Sequence, residues 1–104
     1  MNSKEKGKRG EREVADLLKL YGYEGRRGVQ YCGIFGDSDV IGMDGVHIEV
    51  KRTEKFRLYD AMEQSKHDAR PGEIPTVWHR QNGRDWVVVL DAEDFIGLFG
   101  RLKK

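Results

Sequence analysis

The sequence predicts one α/β domain whose elements run helix, strands, helix, strands, helix. Three observations carry that expectation. Apolar residues recur at helical spacing after Glu11, strict alternation stands at Val46–Lys51, and Asn82-Gly83 separates two apolar runs as a hairpin turn does. A chain of 104 residues fits a single unit, because independent cores usually need ~100–150 residues. We read residues 1–104 as that domain, with about the first eight forming a basic flexible arm.

The first helix rests on Val14, Leu17, Leu18 and Tyr21, which fall at i, i+3, i+4 and i+7, and Gly22 suits its end. Residues 23–36 are glycine-rich, with scattered Val29, Tyr31, Ile34 and Phe35, and read as a first strand or an irregular loop. In VHIEVK, Val46, Ile48 and Val50 alternate with His47, Glu49 and Lys51, a period of two that marks a strand with one buried face.

Met43-Asp44-Gly45 before that strand reads as a hairpin connection. With three loop residues and Gly45 left-handed, Gly42 pairs with Val46 and Asp39 comes opposite Glu49. A two-residue Asp44-Gly45 turn would shift the register by one and send Asp39 to the other face. Only the three-residue register gathers Val40, Val46, Ile48 and Val50 on one face and Asp39, His47, Glu49 and Lys51 on the other, so it is the one expected.

Leu58, Ala61, Met62, Ser65 and Ala69 give a second helix that Pro71-Gly72 ends. IPTVWHR and DWVVVL flank Gln81-Asn82-Gly83 as a strand hairpin. Asp91 can cap a last helix whose apolar face is Phe95, Ile96, Leu98 and Phe99.

Composition narrows the chemistry. One cysteine, Cys32, excludes an intrachain disulfide and a zinc site built on several thiolates, and points to a reducing compartment. No apolar run nears the ~20 residues of a membrane span, nor is there a signal-peptide segment, so the expectation is a cytoplasmic protein without a membrane partner. Net charge is only +1, yet basic residues cluster in MNSKEKGKRGER, at Arg26-Arg27 and from Arg101 to Lys104, which suits local phosphate binding.

Asp39, Glu49 and Lys51 form the constellation with chemical content. Two carboxylates across a strand pair suit a hard divalent cation, which also takes water and phosphate oxygens. Lys51, two residues on and on the same face, is placed to orient a water, assist its deprotonation or neutralise a phosphoryl transition state. The bland alternative is a surface strand whose acid and base merely pair. On the helical wheel Glu11 lies about 60° from Val14 and close to Leu18, at ~100° per residue. It therefore stands at the margin of the buried stripe, within reach of the sheet, or else serves as an acid in the first turn.

These residues resemble the PD-(D/E)XK nuclease superfamily, in particular its archaeal-type and phage Holliday junction resolvases. The resemblance rests on KGKRGEREV, a lone Asp39 and IEVK, and spans Lys6 to about Leu90. It implies a restriction-endonuclease-like core, a mixed central sheet flanked by helices in the order α-β-β-β-α-β-β-α. It implies catalytic roles for Glu11, Asp39, Glu49 and Lys51. Asp39, Glu49 and the backbone carbonyl of Val50 would hold Mg2+, or Mn2+ in its place, with Glu11 serving a second ion or acting through water. The implied activity is hydrolysis of phosphodiesters in branched DNA to 5′-phosphate ends, in a bacterial or phage-infected cell; a nickase, a flap- or end-directed nuclease of the same superfamily and a non-catalytic DNA-binding module are the alternatives, and symmetric cutting of a junction by so short a chain calls for a homodimer. Ser38 stands where the superfamily's name has proline, and Arg27 matches the family's arginine after the first helix.

Lys8, Arg9, Arg27, Gln64, Lys66 and Arg80 are the candidate DNA contacts, the first two with Lys4 and Lys6 on the arm, where phosphate contacts would be sequence-independent. Gln64 and Lys66 read equally well as a solvated helix face. His47 can touch DNA or cover the sheet, and His79 reads as structural. No histidine-based zinc arrangement is legible, and Trp78 and Trp86 read as core.

Overall fold

In the computed structural model, which describes residues 3–28 and 38–102, the first helical pattern becomes α1 (Ser3–Leu20). It starts earlier than its apolar stripe does. Lysine, glutamate and arginine are good helix formers, and Arg9 and Glu13 pair at i,i+4 (3.6 Å). The basic run expected as a flexible arm over residues 1–8 is thus helical from Ser3 onward. Val14, Ala15 and Leu18 are buried beneath it. Gly10 lets the helix approach the sheet: a Cβ there would lie 2.8 Å from Cβ of Arg52.

The strands and remaining helices follow as β1 (Arg26–Arg27), β2 (Val40–Ile41), β3 (Val46–Arg52), α2 (Leu58–Asp68), β4 (Ile74–Arg80), β5 (Val87–Leu90) and α3 (Ala92–Leu102). The described residues form a five-stranded sheet in the order β1-β2-β3-β4-β5. It is mixed, because β3 and β4 are parallel, joined through α2, while the other pairs are antiparallel. Val29, Tyr31, Ile34 and Phe35, weighed as a first strand, lie outside the described residues.

The register is that of the three-residue connection. Val40 pairs with Ile48, and Gly45 has φ +81°, a left-handed conformation that only glycine adopts cheaply. Val40, Ile48 and Val50 pack with Val14, Ala15 and Leu18 under α1, each of the valine, isoleucine and leucine side chains contributing ~1.5–3 kcal/mol.

The alternation in β3 led us to expect one buried face, and both are buried. His47 is 0% and Glu49 3% exposed, because α2 covers the second face and Ala61 and Met62 pack there on Val77. Val77 pairs with Glu49, so the two share that face. A strand parallel to its neighbour and roofed by the crossover helix is covered on both sides. Trp78 and Trp86 pack against the α1-side core.

Between β4 and β5 the chain turns at Gln81–Arg84, with Gly83 at φ +72°. The last helix forms as the apolar spacing of Phe95, Ile96, Leu98 and Phe99 predicts, but that face is not packed away. It is exposed instead, with Phe95 at 56%, Ile96 at 67% and Phe99 at 50%. A helix that ends an α/β layer has only one sheet face to reach, and α1 and α2 occupy the central strands.

Candidate active site

Asp39 sits immediately before β2, and its backbone N–H donates to the Ile48 carbonyl (2.9 Å). Its carboxylate then takes the place of a strand partner, since Oδ2 accepts the Val50 N–H at 2.8 Å. In a strand the N–H and C=O of one residue face the same neighbour, so the Val50 carbonyl points to this edge as well. Asp39 shares a hydrogen bond with the Glu49 carboxylate. Burial first, and then the charge of Glu49, push its pKa up to about 7 from 3.8; the Val50 N–H opposes the shift and Glu11 adds to it. The Asp39 and Glu49 carboxylates, hydrogen-bonded to each other beside a carbonyl at a ladder's end, form an oxygen donor set that fits a hard divalent cation.

Lys51 follows on the same face. Its Nζ lies 4.0 Å from Glu49 Oε2 and donates to Gln64 Oε1 at 2.9 Å. The side chain is one-third exposed and borders two openings. One, of about 240 Å³, is lined by Lys51, Thr53, Phe56, Ala61 and Gln64. The other, of about 570 Å³, runs along Lys6, Gly7, Val50, Lys51, Arg52 and Lys55. Solvent and ligand thus reach the ammonium, while behind it Glu49 is buried and Asp39 half-buried.

Glu11 and Glu13 diverge as the helical wheel requires. Glu11 accepts Arg27 Nε at 3.0 Å on the Asp39 side. Glu13 gathers Arg9 (3.6 Å), Arg52 (3.4 Å) and Arg80 (3.0 Å) on the other side. One sign of that second cluster is legible beforehand, the i,i+4 spacing of Arg9 and Glu13. Arg52, whose side chain is 8% exposed, also donates to Asn82 (3.1 Å).

The candidate DNA contacts divide accordingly. Lys8 and Arg9 are exposed on α1, Arg27 is tied to Glu11, and Arg80 is tied to Glu13. Gln64 is drawn to Lys51, whereas Lys66 pairs with Asp91 (3.0 Å), away from Lys51's partners. Gln64 and Lys66 therefore do not act as one patch. His79 is structural: it stacks on Phe56 with centroids 3.9 Å apart and its Nδ1 bonds the Lys51 carbonyl (2.8 Å).

His47 is enclosed, which rules out the DNA contact weighed for it. Its Nδ1 meets Ser38 Oγ at 2.9 Å and its Nε2 meets Glu49 Oε1 at 3.2 Å. A ring nitrogen of His47 and one oxygen each of Glu49 and Asp68 lie within 4.8 Å of one another. Reading the sequence missed this grouping, since Asp68 joins it only through the docking of α2.

No protein-family model matches the sequence, and no curated protein does. Among solved structures the chain is similar to that of Hjc from Archaeoglobus fulgidus, a Holliday junction resolvase from an archaeal hyperthermophile, with a TM-score of 0.64. The likeness covers 81% of this chain and 76% of that one at 24% identity, so it is a likeness of fold. The α/β core expected from the sequence motifs is thus the core found.

Proposed function

We propose that this chain is a divalent-cation-dependent DNA endonuclease of the PD-(D/E)XK type that cleaves branched DNA as a Holliday junction resolvase does. The observation that carries the reading is the Asp39–Glu49 carboxylate pair beside Lys51, in a fold shared with a junction resolvase. Asp39, Glu49 and the Val50 carbonyl would hold Mg2+, or Mn2+ in its place, with Glu11 acting through water or on a second ion. Bound there, the cation would polarise the phosphodiester and lower the pKa of a water.

The chain's own groups do the rest. Lys51, steered by Gln64 and Glu49, orients the attacking water or donates to the negative charge on the phosphoryl oxygens. Hydrolysis leaves a 5′-phosphate. The groove that carries Lys6, Lys51, Arg52 and Lys55 fits a phosphate backbone, whose contacts position DNA without reading its sequence. Symmetric cutting of a junction needs two copies, since one chain offers one such pair. The exposed apolar face of α3, with Val87 and Val88 of β5, suits a twofold contact.

Cleavage of four-way junctions, duplex, flap and single-stranded DNA with Mg2+ tests the reading. Paired symmetric nicks on the junction support it; cutting confined to flaps or ends would transfer the chain to another nuclease class. Undiminished cleavage by Glu49→Ala would remove the assigned site.

A further inference from the structure

The cluster on the far side of Glu49 is not used by the chemistry above. We propose that His47, Glu49 and Asp68 form a second cation site, selective for an imidazole-accepting ion of the zinc or cobalt(II) class.

The geometry is close to what such an ion needs. Bonds of about 2.0–2.1 Å set ligand atoms roughly 3.3 Å apart in a tetrahedron, and His47 Nε2 stands 3.2 Å from Glu49 Oε1. A ring nitrogen of His47 and one carboxylate oxygen each of Glu49 and Asp68 lie within 4.8 Å of one another, with Asp68 Oδ1 also hydrogen-bonded to His67 Nδ1 at 3.1 Å. Asp68 is in the last turn of α2 with its side chain 21% exposed, so it has room to adjust and gives the ion a way in. His47 is fully enclosed and held from behind by Ser38. A hydroxyl can donate or accept, so Ser38 supports the ring when Nε2–H bonds Glu49 and equally when Nδ1–H bonds Ser38 and Nε2 faces a metal. Ligating imidazoles are generally anchored through their second nitrogen in this way.

The donor types separate this site from the first. An imidazole with two carboxylates suits zinc and its neighbours, whereas the oxygen donors at Asp39 suit magnesium. Glu49 serves both, with Oε1 toward His47 and Oε2 toward Lys51. A bound ion would also tie the end of α2 to β3.

Co2+ titration of the metal-free chain, followed by its visible d–d absorption, tests the site without reference to DNA. The expected result is one imidazole-ligated Co2+ in wild type and in Asp39→Asn, displaced by Zn2+ and not by Mg2+. Asp68→Asn and His47→Gln should each weaken it by at least ~10-fold. Asp68 is partly exposed, so its variant keeps the fold even if the buried histidine variant does not. Equal Co2+ spectra and affinities in wild type and Asp68→Asn would overturn the proposal. Failure of the nuclease reading would look different, as absent cleavage with Co2+ uptake intact.

Discussion

Replacing Asp39 with asparagine separates what its carboxylate costs from what it binds. Without a cation, Asp39 holds its proton to about 7, against 3.8 when unfolded. A carboxyl raised in this way favours the folded chain below the unfolded pKa, and that advantage is lost as pH rises through the folded one. The gap between 3.8 and about 7, at 1.36 kcal/mol per unit, amounts to roughly 4 kcal/mol. For a domain of this size each kcal/mol moves Tm by about 4–8 °C. Asparagine keeps an acceptor for the Val50 N–H and offers Glu49 a donor, but carries no charge. Thermal unfolding in chelator should therefore show wild type losing stability as pH rises from 3.8 to about 7, and Asp39→Asn losing much less. Saturating Mg2+ should restore wild type at pH 8 and leave the variant unmoved. Equal pH dependence of the two chains in chelator, or an equal response to Mg2+, would refute the reasoning.

Other perturbations address the remaining parts. Lys51→Ala should lower single-turnover junction cleavage by roughly 100- to 1,000-fold, as expected for one transition-state donor. Gly10→Val drives a branched side chain into Arg52 and should cost about 1–3 kcal/mol in urea unfolding. Gly7→Ala, with open space around it, should gain up to ~1 kcal/mol from helix propensity in the same assay. A Phe95→Glu, Phe99→Glu double variant should stay folded, sediment as a monomer, and nick junctions on one strand without pairing the cuts.

The hairpin was legible because charge and oil separate in one register only, and Gly45 satisfies the backbone demand of that register. Glu11 was legible because the wheel places it at a stripe's margin. The second covered face of β3 was not legible. His47 and Glu49 look solvent-directed as types, yet Ser38, Asp39 and Lys51 satisfy them in place, so a polar pattern stands for a buried layer. The helical start at Ser3 was hidden because no apolar periodicity marks it. The bare face of α3 was hidden because an amphipathic pattern reports a side that avoids water and leaves open what will cover it.

The three-residue bend at Met43–Gly45 makes that loop the least forgiving length in the molecule. One added residue there would leave every β3 side chain in its seat under α1 or α2 and rotate Asp39 half a turn, out of Glu49's company. The turn at Gln81–Arg84 has no such duty, so insertions between homologues should accumulate at the second hairpin and be purged from the first.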